Sequence, residues 1–137
     1  SAAPFDAEVV ADILPFIDFL CVNEIEAAAL INHFNVKSLN NLGVNALLIT
    51  HGSQGAVYHN FEKKLEITVK GIPVQVVDTT GAGDTFCGYF IALLSQGKDP
   101  LAALNIANKA AALKVTKLGT ADAIPSLVDV LDFNNER

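Results

Sequence analysis

The sequence predicts an α/β fold in which helices cover both faces of a sheet. Short apolar runs of strand length alternate with longer segments of helical periodicity, and this alternation is typical of α/β proteins. The run at 46–49 is apolar throughout, as expected for a strand that is buried on both sides. Of the 137 residues, 51% are hydrophobic and 18% are charged, so a single domain of this length can bury a core.

Apolar spacing and polar breaks define the elements of the first half. Val10, Ile13 and Leu14 fall at helical spacing and predict the first helix. Short apolar runs predict strands, and an alanine-rich stretch predicts the second helix. The predicted elements are a helix at 7–16, a strand at 18–22, a helix at 24–34, a short helix at 38–42, and strands at 46–50, 56–59 and 65–69.

Turn and capping residues define the elements of the second half. Gly97 is placed to end one helix, and Asp99 followed by Pro100 is typical of the start of the next. The predicted elements are a strand at 74–77, helices at 82–95 and from 100 to about 117, and a last helix that begins at Pro125 or Ser126 and runs to about 133. The tail at 134–137 is expected to be mobile.

Charge and composition disfavour several classes of partner. A net charge of −6 disfavours nucleic acid, which needs a basic face. No apolar run is long enough to span a bilayer, and the first residues lack the features of a signal peptide. Cys21 and Cys87 lack disulfide-framework or redox spacing, which favours a cytoplasmic protein. The mean hydropathy of +0.38 indicates apolar surface that meets another segment or subunit.

The turn before the helix at 82–95 carries the strongest functional signal. Gly81 and Gly83 bracket Ala82, so the turn can direct backbone N–H groups at one point near the positive end of the helix dipole. Such a point favours a phosphate group. The carboxylate of Asp84 costs repulsion there, which makes sense if it accepts a proton from an attacking hydroxyl. On these residues alone, a plain strand-to-helix turn with an acidic first turn is equally consistent.

Polar residues follow the predicted strands, which is where α/β sheets bind ligands. Asn23, Thr50 and the loop at 78–84 each lie at the end of a predicted strand, so we expect them to surround one site. Asn23 and Glu26 stand three residues apart across a strand-to-helix junction, which places both near one helix N-terminus. Their oxygen atoms suit Mg²⁺, but an Asn cap followed by an acidic first turn is a common alternative.

Four segments carry motifs of one protein family. They read D-T-T-G-A-G-D-T-F at 78–86, N-E-I-E at 23–26, I-T-H-G-S-Q-G at 49–55 and V-T-K-L-G-T at 115–120. The first closely resembles the C-terminal signature of the ribokinase-like (PfkB) sugar kinases. The others are similar to that family's N-x-x-E metal motif, nucleotide loop and closing loop. The resemblance covers nearly the whole chain but only about the C-terminal half of the family's three-layer fold.

The resemblance implies a reaction, namely ATP-dependent transfer of a phosphoryl group to a sugar hydroxyl with Mg²⁺ as the metal. In that reading Gly81, Ala82 and Gly83 form the anion hole of the family. Asp84, which follows them directly, is its catalytic base.

The resemblance also implies a nucleotide site built from several segments. Asn23 and Glu26 would position Mg²⁺ and the phosphates, with Glu26 acting on the metal indirectly. Thr50, Gly52 and Gly55 would contact ATP.

Two further features of the family fall on the second half of the chain. Asn108 lies in the middle of a helix and would face the nucleotide base, although a solvent-facing Asn is an equal alternative. Asp78 and Thr80, with the backbone near Lys117 and Gly119, would hold a monovalent cation such as K⁺, although a structural cap of the turn by Asp78 is an alternative. A cation beside the anion hole would strengthen its field.

Residues 1–137 therefore resemble the C-terminal, nucleotide-binding and catalytic portion of a sugar kinase. The N-terminal half of the family, with most sugar-binding residues and a β lid, is not visible here. The expected partners are a nucleotide and a small sugar. The chain alone is expected to be inactive and to associate with itself or with the missing half. The alternatives are an inactive nucleotide-binding fragment and one half of a split kinase, whereas Phe86 in place of a third glycine disfavours a dinucleotide oxidoreductase.

Overall fold

The computed structural model describes residues 5–133 and confirms the α/β class. The expectation for the tail at 134–137 lies outside that range. The helices are α1 (Ala7–Ile13), α2 (Glu24–Phe34), α3 (Ala82–Ser95), α4 (Pro100–Val115) and α5 (Leu127–Asp132). The strands are β1 (Phe19–Asn23), β2 (Ala46–Thr50), β3 (Gly55–Asn60) and β4 (Leu65–Lys70). Short 3₁₀ turns cover Leu14–Phe16, Leu39–Leu42, Gly52–Gln54 and Ala121–Ala123.

The strands of the described sheet lie in the order β1–β2–β3–β4. β1 and β2 are parallel and are connected through α2, whereas β2 and β3 are antiparallel. The carboxyl ends of β1 and β2 meet in register, with Asn23 opposite Thr50. The sheet is therefore mixed, and its parallel pair places two of the predicted site residues side by side.

The chain forms two compact units. The first comprises the residues up to His51 together with Ala56–Thr68, and the second comprises Gly52–Gly55 and the residues from Val69 onward. In the first unit, α1 and α2 pack with the parallel strands around a common core. β2 is buried at four of its five positions, which explains why it is an unbroken apolar run in the sequence.

In the second unit, α4 packs against both α3 and α5. Phe90 of α3 and Leu104 of α4 are fully buried. α4 also buries Ala103, Ala107 and Ala110, which lie three or four residues apart and so form one stripe along the helix. Small side chains along such a stripe allow a neighbouring helix to approach closely.

Most helix ends that were predicted from capping residues are confirmed. Asp99 accepts a hydrogen bond from the backbone N–H of Ala102 at 3.1 Å, and Pro100 is the first residue of α4. Gly97 adopts a φ of +80°, the left-handed conformation that commonly follows a helix, and Ser126 caps α5. The end of α4 at Val115 lies slightly before the predicted end near 117.

The strand predicted at 74–77 is wrong. Within residues 5–133 this segment joins no ladder of the sheet, and Val76 and Val77 are exposed. The backbone N–H groups of Val77 and Asp78 instead both donate to the carbonyl oxygen of Val115, at 2.7 and 3.1 Å. β-branched residues favour a strand, but a strand also needs a neighbour that satisfies its backbone. Here the end of α4 supplies the acceptor.

Candidate functional site

The N-terminus of α3 differs from those of the other α-helices that the structure describes. Gly81 precedes it at a φ of +76°, and no side chain caps it. Each of the other helices is capped by a side-chain oxygen, from Asp6, Asn23, Asp99 and Ser126. The first N–H groups of a helix have no partner within it, and the positive end of the helix dipole lies there. The start of α3 can therefore accept an anion.

The glycine turn has the conformation that such a site requires. Gly81 lies in the left-handed region, which favours glycine. The backbone N–H of Ala82 donates to the carbonyl of Thr79 at 3.1 Å and closes the turn. Gly83 and Asp84 follow in the first turn of the helix, and both are exposed. The carboxylate of Asp84 is thus accessible to a second molecule at the helix N-terminus.

The carboxylate of Asp78 connects two segments of the second unit. One oxygen accepts a hydrogen bond from the backbone N–H of Thr80 at 2.9 Å, and the other from that of Gly119 at 3.1 Å. The hydrogen bonds from Thr80 and then from Gly119, with a smaller effect of the positive charge on Lys114, lower the pKa of Asp78 to about 2. The ionised carboxylate therefore fixes the segment that leads into the glycine turn.

Lys114 lies in the last turn of α4 and is completely buried. Its Nζ donates to the carbonyl oxygen of Gly119 at 2.6 Å and to that of Asp78 at 3.4 Å. The sequence motifs do not identify this residue. Its signal is positional, because Lys114 is in phase with the stripe that buries Ala107 and Ala110.

Asn108 is buried on α4, so the solvent-facing alternative is wrong. Its side-chain amide donates to the carbonyl oxygen of Lys70 at 2.7 Å. This hydrogen bond ties the end of β4 to α4. A buried amide without such a partner would be costly, so the bond accounts for a polar residue in this apolar helix.

Gly55 lies where two backbone segments of the second unit approach closely. A Cβ atom at Gly55 would lie 2.0 Å from the carbonyl oxygen of Val69, and one at Gly71 would lie 1.8 Å from that of Ser53. Gly55 therefore has a packing role that is independent of any ligand. Gly52, by contrast, is exposed, and a Cβ atom there would meet nothing within 4 Å.

Asn23 and Glu26 come together at the start of α2. Asn23 Oδ1 accepts a hydrogen bond from the backbone N–H of Glu26, and Glu26 Oε2 accepts one from the backbone N–H of Asn23, each at 2.9 Å. The structure therefore shows the helix cap that the sequence offered as an alternative to a Mg²⁺ role. The two residues form a reciprocal capping box. Since Thr50 is the register partner of Asn23, the first unit brings these three predicted residues together.

A side-chain pair that the motifs did not predict lies at the same edge of the sheet. Glu24 Oε2 is 3.1 Å from His51 Nδ1. Each of these residues directly follows a strand whose last residue is one of the register partners Asn23 and Thr50. The parallel register therefore explains why the two side chains meet. In the sequence, the pair could have been predicted from the fact that each residue directly follows a strand.

The predicted site residues divide between the two units. The first unit holds Asn23, Glu26 and Thr50, and the second holds Gly52, Gly55, Asp78, Thr80, Gly81, Ala82, Gly83, Asp84 and Asn108. Within residues 5–133, no group of three or more His, Cys, Asp or Glu side chains is arranged to hold a metal ion. No helix in that range has the length and apolar character of a membrane span.

The sequence matches one protein family over most of its length. Residues 2–127 match the family described as pfkB family carbohydrate kinase. The chain is 40% identical over 112 residues to the ribokinase of Bacillus subtilis (strain 168), and this match covers 82% of the chain and 38% of that protein.

Two solved ribokinase structures show the same fold. The structure of Arabidopsis thaliana ribokinase complexed with ribose and ATP is 33% identical, with a TM-score of 0.79, over 90% of this chain and 44% of that one. A putative ribokinase II from E. coli in complex with ATP and Mg²⁺ is 30% identical, with a TM-score of 0.78, over 90% of this chain and 40% of that one. The chain thus spans about two fifths of the length of these relatives.

Proposed function

The chain belongs to the pfkB family of carbohydrate kinases, and we propose that it forms the nucleotide-binding and catalytic portion of an enzyme that transfers a phosphoryl group from ATP to a sugar hydroxyl. The similarity to ribokinases supports a sugar as the acceptor. The relatives solved with ATP, and with ATP and Mg²⁺, support this donor and this metal.

The open N-terminus of α3 is the observation that carries the proposal. In phosphoryl transfer the protein mainly positions the reactants and stabilises charge on the moving group. Gly81 and Ala82 shape the turn, since the N–H of Ala82 is already bound to Thr79. The N–H groups of Gly83 and Asp84, at the positive end of an uncapped helix, are then the donors for the phosphoryl oxygens.

Asp84 is assigned the role of general base. The hydroxyl oxygen of the sugar forms a bond to the γ-phosphorus of ATP as the bond to the ADP oxygen breaks, and the hydroxyl proton passes to the Asp84 carboxylate. An exposed carboxylate beside an anion site would otherwise only repel the phosphate. Its position in the first turn of α3 is therefore consistent with proton acceptance.

Asn23 and Glu26 are assigned to Mg²⁺ and the nucleotide phosphates, whereas Thr50 is assigned to a contact with ATP. The side-chain oxygens of Asn23 and Glu26 are of the type that Mg²⁺ accepts, often through water. The capping box uses one carboxylate oxygen of Glu26, and the second oxygen has capacity for a metal-bound water. When bound, Mg²⁺ would neutralise charge on the phosphates.

Gly52, Gly55 and Asn108 are assigned to contacts with the nucleotide. The exposed backbone and open surroundings of Gly52 are consistent with a ligand close by. Gly55 and Asn108 already have structural contacts, so a nucleotide contact would be an additional role for each.

The substitution Asp84→Asn, made in the active form of the protein, tests the proposal. We expect turnover with ATP and sugar to fall at least ~10²-fold, the usual scale for loss of a general base, while ATP affinity persists. Asp122→Asn, which changes another exposed acid of the same unit, is the control and should retain turnover. Near-normal turnover of Asp84→Asn would refute the assignment of the base.

A further inference from the structure

Lys114 is fully buried, which is rare for a lysine unless its ammonium group is paired. Its partners are two main-chain carbonyl oxygens, of Gly119 at 2.6 Å and of Asp78 at 3.4 Å. The nearby carboxylate of Asp78 adds a favourable charge. We call the four residues Asp78, Thr80, Lys114 and Gly119 the Asp78 clasp.

The clasp is also where the family resemblance predicts a monovalent cation. Main-chain carbonyl oxygens are the ligands that replace water around K⁺ in proteins. In this chain the carbonyl oxygens of Asp78 and Gly119 are already bound to Lys114 Nζ. The two carboxylate oxygens of Asp78 are bound to the N–H groups of Thr80 and Gly119. These oxygens are therefore not available to a second cation, and the ammonium group would repel it. K⁺ does not fit the residues present.

We propose that the ammonium group of Lys114 is the resident cation of this site and that the Asp78 clasp needs no bound K⁺. An ammonium group carries the charge of K⁺ and interacts with the same carbonyl oxygens. Because it is covalently attached to α4, its presence does not depend on the K⁺ concentration. The buried lysine and the expected cation are thus alternative solutions for one set of oxygens.

The position of Lys114 also connects the clasp to the glycine turn. A Cβ atom at Gly81 would lie 4.0 Å from Lys114 Cε, so the charged end of the side chain lies close to the start of α3. A fixed positive charge there adds to the helix dipole and strengthens the attraction for an anion. Lys114 is in this respect a positioning residue, and only this step rests on the proposed function.

The first test uses the unmodified chain. Its thermal unfolding midpoint is measured in KCl and in choline chloride at equal ionic strength. We expect the two midpoints to agree, because a ligand stabilises a protein only where it binds the native state. A midpoint that rises with K⁺ and saturates would overturn the proposal.

The second test opens the cation site. Lys114→Ala frees the carbonyl oxygens of Asp78 and Gly119, so the variant should unfold at a lower temperature and recover in KCl but not in choline chloride. Lys98→Ala removes an exposed lysine of the same unit that lies outside the cation site, and it should behave as the unmodified chain does. A folded Lys114→Ala protein that is insensitive to K⁺ would overturn the proposal, and the first test decides it if this variant does not fold.

Lys114→Met separates charge from packing, because methionine keeps most of the side-chain volume. We expect this variant to bind ATP severalfold more weakly than the unmodified protein, and KCl not to restore the affinity because methionine fills the site. Unchanged ATP affinity would overturn the link between Lys114 and the glycine turn. An unmodified protein that binds no ATP would instead contradict the proposed function, and the K⁺ measurements would still decide the identity of the cation.

Discussion

At the scale of single residues, Asp78 shows how one carboxylate orders a loop. It accepts hydrogen bonds from residues on both sides of α3 and α4 in the sequence, Thr80 and Gly119. These bonds favour the ionised form, which is why the pKa of Asp78 is lowered to about 2 from the ordinary value of 3.8. A lowered pKa in the folded state means that the charged carboxylate stabilises the fold.

This effect predicts a specific dependence of stability on pH. The contribution of Asp78 is fully present above its unfolded pKa of 3.8 and is lost as the pH falls towards about 2. The free energy of unfolding of the unmodified chain should therefore exceed that of Asp78→Asn by a constant amount above about pH 4. The difference should shrink below that pH. Urea unfolding of both proteins at a series of pH values measures it, and a difference that does not change down to pH 2 would contradict the account.

Closeness in the sequence decided which candidate site residues could be predicted without the structure. Asp84 and the glycines before it are adjacent in the sequence, so a short motif is enough to predict them. Lys114 acquires its importance only when the fold brings two carbonyl oxygens to its Nζ, that of Asp78 from before α3 and that of Gly119 from after α4. These contacts depend on the fold, and the sequence shows only a lysine in phase with buried alanines.

At the scale of elements, the close approach of backbone at Gly55 and Gly71 holds the ends of β3 and β4. The N–H of Gly71 donates to the carbonyl oxygen of Gln54 at 2.8 Å. A Cβ atom at Gly71 would overlap the carbonyl oxygen of Ser53, at 1.8 Å. Since the obstacle is backbone rather than a flexible side chain, a larger residue cannot be accommodated without moving the chain.

Gly71→Ala is therefore expected to destabilise the protein by about 2 kcal/mol or more, the scale of overpacking. Gly88→Ala is the matched control, because Gly88 is an exposed glycine inside α3 with nothing within 4 Å of a Cβ atom. That change should stabilise the protein by about 0.5–1 kcal/mol through helix propensity. Urea unfolding measures the change in the free energy of unfolding for both variants. Equal effects of the two substitutions would show that the backbone segments at Gly71 do not approach closely.

Elements with local signals were predicted well, and those that depend on distant partners were not. The bounds of α2, β2 and α3 agree with the prediction because local signals mark them: a capping residue for α2, an apolar run for β2, and glycines on either side of α3. The segment at 74–77 has strand-forming residues but bonds to the end of α4, which no local pattern reveals. Gly71 likewise gives no sign in the sequence that another backbone segment approaches it.

At the scale of the whole molecule, the main fact is how much of its relatives' length the chain covers. It spans about two fifths of the relatives that it matches. Large apolar side chains are exposed on both units, including Phe16 and Ile25 on the first and Leu118 and Val128 on the second. Exposed apolar groups of this kind favour association with another segment or another copy.

The 137-residue chain is therefore expected to lack sugar kinase activity by itself. The sugar hydroxyl must be held about 3–3.5 Å from the phosphorus for an efficient reaction. The resemblance assigns most residues that would hold it to the other half of the family's fold. A coupled assay across a panel of sugars should show no phosphorylation above background, and light scattering should show oligomers or aggregates. A monodisperse monomer that phosphorylates a sugar would contradict both expectations.

The central claim is that the uncapped start of α3 binds the phosphate groups of ATP. Titration calorimetry with ATP and Mg²⁺ tests it most directly, with Gly83→Val compared with Gly88→Val in the active protein. Both glycines are exposed on α3, but only Gly83 lies in its first turn. Gly83→Val should weaken ATP binding at least about tenfold, or about 1.4 kcal/mol, whereas Gly88→Val should not change it. Equal ATP affinity in the unmodified protein and both variants would contradict the claim.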